Sequence, residues 1–201
     1  MGLRELKKTR TRQAVQKAAM RLFSEQGYEA TTVEQIAASA EISTATFYRY
    51  YCDKEDVVLG DDDHLLVEDV LAERPANEPV FDTMAVLFRR MAAELESDRE
   101  AVLVRLRLMC GVPGLQARRW ATRQAMIDLL ARLLASRTGA EADDHWLRLA
   151  ITIALAAESE TVFYWARTGG TDSLVGLLGD ALAMIRPVFT TGQAKRLSST
   201  R

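Results

Sequence analysis

The sequence predicts an all-α protein of about nine helices: a small N-terminal three-helix unit followed by a larger helical body. Three observations carry this. Apolar residues recur every three or four positions through almost the whole chain. Strand-type alternation is absent. Capping residues and Gly or Pro punctuate the points where the helical period breaks.

The first helix is expected over roughly 8–26, with Val15, Ala19, Leu22 and Phe23 on one stripe and Gly27 as its left-handed stop. Two short helices follow, at 33–40 and 44–50, with residues 41–43 between them. Thr32 opens the first, with Gln35 three residues on in a capping box; Ser43 opens the second with a hydroxyl cap alone. Asp53 caps a fourth helix expected to begin at Lys54 and reach the low seventies, before Pro75 and Pro79 break the chain. Longer helices are expected at about 79–97, 99–111, 114–138, 142–168 and 172–188. Their punctuation is Asp98, Pro113-Gly114, Gly139, Gly169-Gly170 and Pro187. The expected domains are 1–55 and 56–190, and 191–201 reads as a polar, disordered tail.

Composition narrows the function classes. No apolar run approaches the roughly 18–20 residues of a membrane span, so no membrane partner is expected. The N-terminal "MGLRELKKTR" lacks the apolar core of a secretory signal and the hydroxyl residue of a myristoylation site. Cys52 and Cys110 have no metal-ligand spacing, and the expectation is a cytoplasmic protein with both thiols reduced. Net charge is −2, but it is unevenly placed. Residues 1–21 carry seven Lys/Arg against Glu5, while residues 55–69 carry seven Asp/Glu and no Lys/Arg. That split fits an anionic partner on one side.

A short helix, a three-residue turn and a second short helix form a helix-turn-helix. Ile36, Ala37, Ala40, Ile42, Phe47 and Tyr51 are spaced to pack inward. The second helix then shows Thr44, Ala45 and Tyr48 outward. Small residues on its leading turn allow close approach to a groove floor, where methyl and hydroxyl groups meet base edges. Thr46, Arg49, Tyr50 and Lys54 flank them as phosphate donors. The helix N-termini at Thr32 and Ser43 aim backbone N–H groups at an anion, and Arg10 and Arg12 of the basic arm reach the backbone or minor groove. An outward Tyr48 therefore points to double-stranded DNA.

Residues 9–56 resemble the DNA-binding domain of the tetracycline-repressor (TetR) family. The resemblance lies in Phe23, Gly27 and Tyr28 (F-x-x-x-G-Y), Thr31 to Ala37 (T-T-V-x-x-I-A), the run "TFYRYY" and Lys54-Glu55. It implies a ligand-responsive repressor, a homodimer with each recognition helix in a major groove of a palindromic operator. It also places Thr44, Ala45 and Tyr48 at bases and Thr32, Thr46, Arg49, Tyr50 and Lys54 at phosphates. Three positions depart from the pattern. Glu41 replaces the usual turn glycine, Cys52 a frequent proline, and Val33 stands where some members carry a base-reading arginine.

In the larger domain, the short "TGG" link makes the last two helices antiparallel neighbours. The family resemblance implies that two such hairpins form a dimer bundle, with Leu155, Val162, Phe163, Leu174, Leu178, Leu182 and Ile185 as interface candidates. An internal core is the competing reading of the same residues. Arginines among apolar residues suggest a site for a hydrophobic anion, with Phe88, Arg105, Met109, Arg118, Trp120, Glu158 and Trp165 as candidates. Pairing of these arginines with Glu94, Glu100 or Asp128 is the competing reading. The stretch 103–120, "LVRLRLMCGVPGLQARRW", is similar to an actinobacterial subgroup that includes mycofactocin-linked regulators, which implies an acyl-coenzyme A effector. Fatty acids, flat aromatics and, through Glu158 and Glu160, cationic drugs are the other candidates.

An enzyme is not expected. His64 and His145 have no partner motif, Gly-rich phosphate loops and the H-E-x-x-H and G-x-S-x-G patterns are absent, and no cofactor or metal set is visible. Glu158 and Glu160, two apart on a helix, diverge. A ligand-binding protein with weakened DNA binding is the remaining alternative, for which Glu41 is the foothold.

Overall fold

In the computed structural model, residues 3–60 and 63–199 are described, with backbone alone for 3–6, 63–65, 188 and 190–199. Met1, Gly2, Asp61 and Asp62 of the acidic stretch, and Thr200 and Arg201 of the expected tail, lie outside the described residues. Among the described residues there are ten helices and no strands. They are α1 Leu3–Gln26, α2 Val33–Ser39, α3 Thr44–Tyr48, α4 Lys54–Leu59, α5 Asp63–Glu73, α6 Val80–Ser97, α7 Arg99–Gly111, α8 Pro113–Thr138, α9 His145–Arg167 and α10 Leu174–Ser199.

The extra helix comes from a break in the expected fourth one. Gly60 adopts φ 68° and ends α4 after six residues, and α5 starts afresh at Asp63. The last helix also differs from expectation. Pro187 sits inside α10, which continues to Ser199, so the backbone of 191–199 is helical where a disordered tail was expected. A proline removes one intrahelical bond but does not by itself end a helix whose flanking turns are intact.

The chain divides into two compact units, Met1–Asp61 with Glu100–Trp120, and Asp62–Arg99 with Ala121–Arg201. The first is therefore not the contiguous 1–55 of the sequence expectation. Residues 100–120 belong to it as well, and two of their arginines bond α4.

In the first unit α1 packs on α2 and α4, and α2 on α3. Val15, Ala19 and Phe23 of α1 meet Ile36, Ala37, Phe47, Val57 and Val58 in a buried core. Leu22 of the expected α1 stripe is only half-buried. Gly27, at φ 88°, turns the chain after α1, its N–H bonding Phe23 O at 3.1 Å. The capping box of α2 is complete: Thr32 Oγ1 accepts from Gln35 N at 3.3 Å, and Gln35 Oε1 accepts from Thr32 N at 2.9 Å. Ser43 Oγ caps α3 by accepting from Thr46 N at 3.1 Å. Between them, Glu41 takes φ 56°, the one positive φ outside glycine among the described residues. Its N–H bonds Ala38 O and Ile42 N–H bonds Ala37 O, which closes α2 in a left-handed turn.

In the second unit α6 packs on α5, α9 and α10, and α9 lies along α10. The α9–α10 turn is tied by polar bonds. Trp165 Nε1 donates to Asp172 O at 2.9 Å, Arg99 Nη2 to Gly169 O at 2.6 Å, and Glu96 Oε1 accepts from Val175 N at 3.2 Å. Arg137 similarly closes the end of α5, donating to Leu71 O at 2.7 Å and Arg74 O at 3.0 Å.

A side chain in the left-handed region costs roughly 1–2 kcal/mol that glycine does not incur, offset in part by glycine's greater freedom when unfolded. Replacing Glu41 with Gly is expected to stabilise the protein by about 0.5–1 kcal/mol. The urea midpoint of unfolding checks this, with an upward shift at unchanged m-value.

Candidate nucleic-acid interface

A five-residue helix has too few internal hydrogen bonds to hold its own shape. α3 is held instead by the Ser43 cap at its start and by Phe47, which is fully buried. With Phe47 inside, the helical period turns Thr44, Ala45 and Tyr48 to solvent, and all three are exposed. Tyr48 is 55% exposed although it is a large aromatic residue. Its ring stands edge-on to Phe47, 5.6 Å between centroids at 86°, so the buried ring braces the exposed one. Tyr51 is buried against Phe47 at 5.7 Å and fixes the exit from α3.

Of the flanking candidates, Thr32, Ser43 and Arg49 are exposed, Tyr50 is half-buried, and the Arg49 guanidinium lies 5.1 Å from the Tyr50 ring centre. Thr46 is half-buried with its hydroxyl 2.9 Å from Ser43 Oγ, so it already serves the cap. Arg10, Lys7 and Lys8 are exposed along α1. Arg12 is half-buried, with its guanidinium 5.7 Å from the Tyr51 ring centre.

Lys54 has a different environment from the one its charge suggested. Nζ donates to Tyr28 O at 2.8 Å and Thr31 O at 3.2 Å, and lies 4.3 Å from the Tyr28 ring centre. Two of the three ammonium protons thus pin the α1–α2 loop that presents Thr32. Burial, then the Glu55 carboxylate, push the Tyr28 phenol well above its ordinary range, so it stays protonated beside that ammonium.

Two of the arginines expected to hold a ligand anion also have protein acceptors. Arg105 of α7 donates from Nε to Val58 O at 2.6 Å and from Nη2 to Leu59 O, satisfying carbonyls at the end of α4. Arg118 of α8 donates from Nη1 to both Asp53 oxygens, at 2.8 and 2.7 Å, and from Nη2 to Asp56 Oδ1. These bonds join Arg105 and Arg118 to α4 within the first unit. Burial pulls the Arg118 guanidinium down, but its bond to Asp53 and the charges of Asp56 and Asp53 outweigh this and leave it above its ordinary value. The Asp56 hydrogen bond raises the exposed Cys52 thiol, which keeps it protonated.

The other ligand candidates are divided. Met109 is buried and Trp120 is 68% exposed in the first unit. Phe88 and Trp165 are fully buried in the second, where Glu158 is half-buried. The dimer-interface candidates sit mostly in the interior of the chain. Leu155, Val162, Phe163, Leu174, Leu178 and Leu182 are all buried within the single chain, and Ile185 is half-buried. They lie between α9, α10 and α6, so most of their surface is covered within the single chain. The outward faces of α9 and α10 carry Trp146, Leu149, Tyr164 and Met184 instead, and Glu160, Thr161, Tyr164 and Leu177 line a shallow groove. Sequence period located apolar stripes on both helices without separating the inner from the outer one.

Comparison with known proteins agrees with this geometry. Residues 16–60 match the family model for bacterial regulatory proteins of the tetR family, and residues 78–190 match the MftR C-terminal domain. The HTH-type transcriptional regulator TcmR of Streptomyces glaucescens is 36% identical over 199 residues, covering 92% of this chain and 87% of that protein. The crystal structure of FadR from Thermus thermophilus, a TetR-family repressor in complex with lauroyl-CoA, superposes with TM-score 0.58 at 25% identity, covering 87% of this chain and 92% of that one. FadR from Bacillus subtilis, in complex with stearoyl-CoA, has the same fold at TM-score 0.59 and 20% identity, covering 86% and 96%. The exposed face of α3, set in a capped helix-turn-helix and matched along nearly the full chain, makes this protein a member of the TetR family of bacterial transcriptional regulators.

Proposed function

We propose that the protein is a homodimeric repressor of the cytoplasm that binds a palindromic operator and is released by a hydrophobic anionic effector, an acyl-coenzyme A thioester being the best-supported class. The observation that carries the DNA half is the exposed trio Thr44, Ala45 and Tyr48 on a helix whose other face is buried. One such helix reads too few base pairs for selectivity among genomic sites, which is why two copies are needed. Half-site centres are then about one turn, roughly 34–36 Å, apart.

The effector class is supported by two acyl-CoA-bound FadR neighbours and by the MftR-type C-terminal match. The anionic end of such an effector falls to cations other than Arg105 and Arg118, whose guanidinium groups already hold protein acceptors. Dimerisation is assigned to the outer faces of α9 and α10, where Tyr164 and Met184 are 47% and 79% exposed. Effector binding acts by favouring a dimer state whose recognition helices no longer match the groove spacing. The regulatory role requires no catalysis by this chain.

Three outcomes test this reading. Tyr48→Ala is expected to weaken operator binding by about 10- to 100-fold, the range for losing one base-reading contact. Gel retardation on the protein's own upstream region measures it, and sedimentation should show the dimer intact. Met184→Glu with Tyr164→Glu is expected to convert the dimer to folded monomer, seen by sedimentation with unchanged helical circular dichroism. An acyl-CoA series of increasing chain length is expected to raise the melting temperature and release the operator. Release by free coenzyme A equal to that by the thioesters would remove the acyl chain from the proposal.

A further inference from the structure

We propose that Arg118 is a positioning residue for DNA reading: by bridging Asp53 and Asp56 it sets the start of α4, and through it the exit angle of α3. The inference rests on the proposed operator binding and deepens it.

Asp53 is the N-cap of α4 and accepts from Asp56 N at 2.9 Å. Asp56 Oδ2 accepts from Cys52 N at 2.8 Å. The two carboxylates thus shape one turn of backbone and stand close enough to repel each other. The planar guanidinium places one nitrogen on each and cancels that repulsion, with a fork geometry that an ammonium lacks. Only residues 49–52 separate the end of α3 from Asp53, and Tyr51 among them is buried. A shift of the Asp53 turn therefore has little slack to absorb it before Tyr48 moves. The far end of α4 is held as well, by Arg105 on the carbonyls of Val58 and Leu59. A Cβ at Gly60 would lie 2.7 Å from Arg105 Nη2, so that approach depends on glycine.

The bridge is half-exposed, with side-chain accessibilities of 39% for Arg118, 42% for Asp53 and 25% for Asp56. Water screens such pairs, and their contribution to global stability is small. Groove reading is more demanding, since a base-contacting side chain works only within a fraction of an ångström of its place. Arg118 is therefore expected to matter far more for selective binding than for folding.

The test uses the full chain with Arg118→Gln, Arg118→Lys and Asp53→Ser, the serine keeping the α4 cap but not the charge. Binding is measured to a duplex that the wild-type protein enriches from a random pool and to a scrambled duplex, each across a salt series. Hydrogen exchange of residues 44–59 is followed without DNA. Arg118→Gln should lose selective affinity by about tenfold while the scrambled duplex and the salt slope stay unchanged, because no phosphate contact is removed. Amides of residues 50–56 should exchange faster. Lysine should recover part of the loss, and adding Asp53→Ser to Arg118→Gln should cost nothing more. Wild-type selectivity in Arg118→Gln overturns the inference, and so do equal losses on both duplexes with a shallower salt slope, which would make Arg118 a phosphate contact. If the wild-type protein enriches no duplex, operator binding itself fails; unchanged exchange in Arg118→Gln and Asp53→Ser then overturns the bridge independently.

Discussion

The burial of Phe47 is the constraint on which the rest depends. It sits in a five-residue helix that has no capacity to persist alone, and its ring is fully buried, with α3 packed on α2 and Tyr51 beside it. Once that ring is inside, the 100° step of the helix leaves Tyr48 no inward direction. The energetic cost of exposing a tyrosine is small beside the several kcal/mol that a buried phenylalanine contributes. The outward face of α3 is thus displayed as a by-product of core packing, with the Glu41 turn and the Ser43 cap preceding it.

A second layer of support comes from α4. Its six residues, like those of α3, are too few for autonomous stability, and both ends are held by arginines. Arg118 joins carboxylates at its start; Arg105 joins carbonyls at its end. Lys54, the first residue of the same helix, ties back to the α1–α2 loop. Three cations that charge alone would assign to DNA or to a ligand are thus engaged by protein acceptors around one short helix. A cation with two well-placed acceptors gains charge-assisted hydrogen bonds that a solvent-facing one does not.

How much of this was legible in the sequence follows from interaction range. Thr32 with Gln35, Ser43 with Thr46 and Asp53 with Asp56 are three apart, so cap residues could be read directly, and the helix starts they mark are where they were expected. The positive φ of Glu41 followed from its place in a turn that favours glycine. The partners of Arg105 and Arg118 lie 46 to 65 residues away, and no local pattern encodes them. The inner and outer faces of α9 and α10 were hard to separate for another reason. α9 and α10 are apolar on more than one face, and a period cannot say which face is buried within the chain. Leu178 and Leu182 are inside, while Met184 is outside.

If the burial of Phe47 turns position 48 onto base edges, that contact can be trapped covalently. Replacing Tyr48 by the photoreactive analogue p-benzoylphenylalanine and irradiating the complex with its selected duplex tests it most directly. Cross-links to major-groove bases at symmetry-related positions in both half-sites are expected, and none when the analogue stands at position 164. Cross-links confined to the sugar-phosphate backbone, or none at position 48 in a complex that still forms, would contradict it.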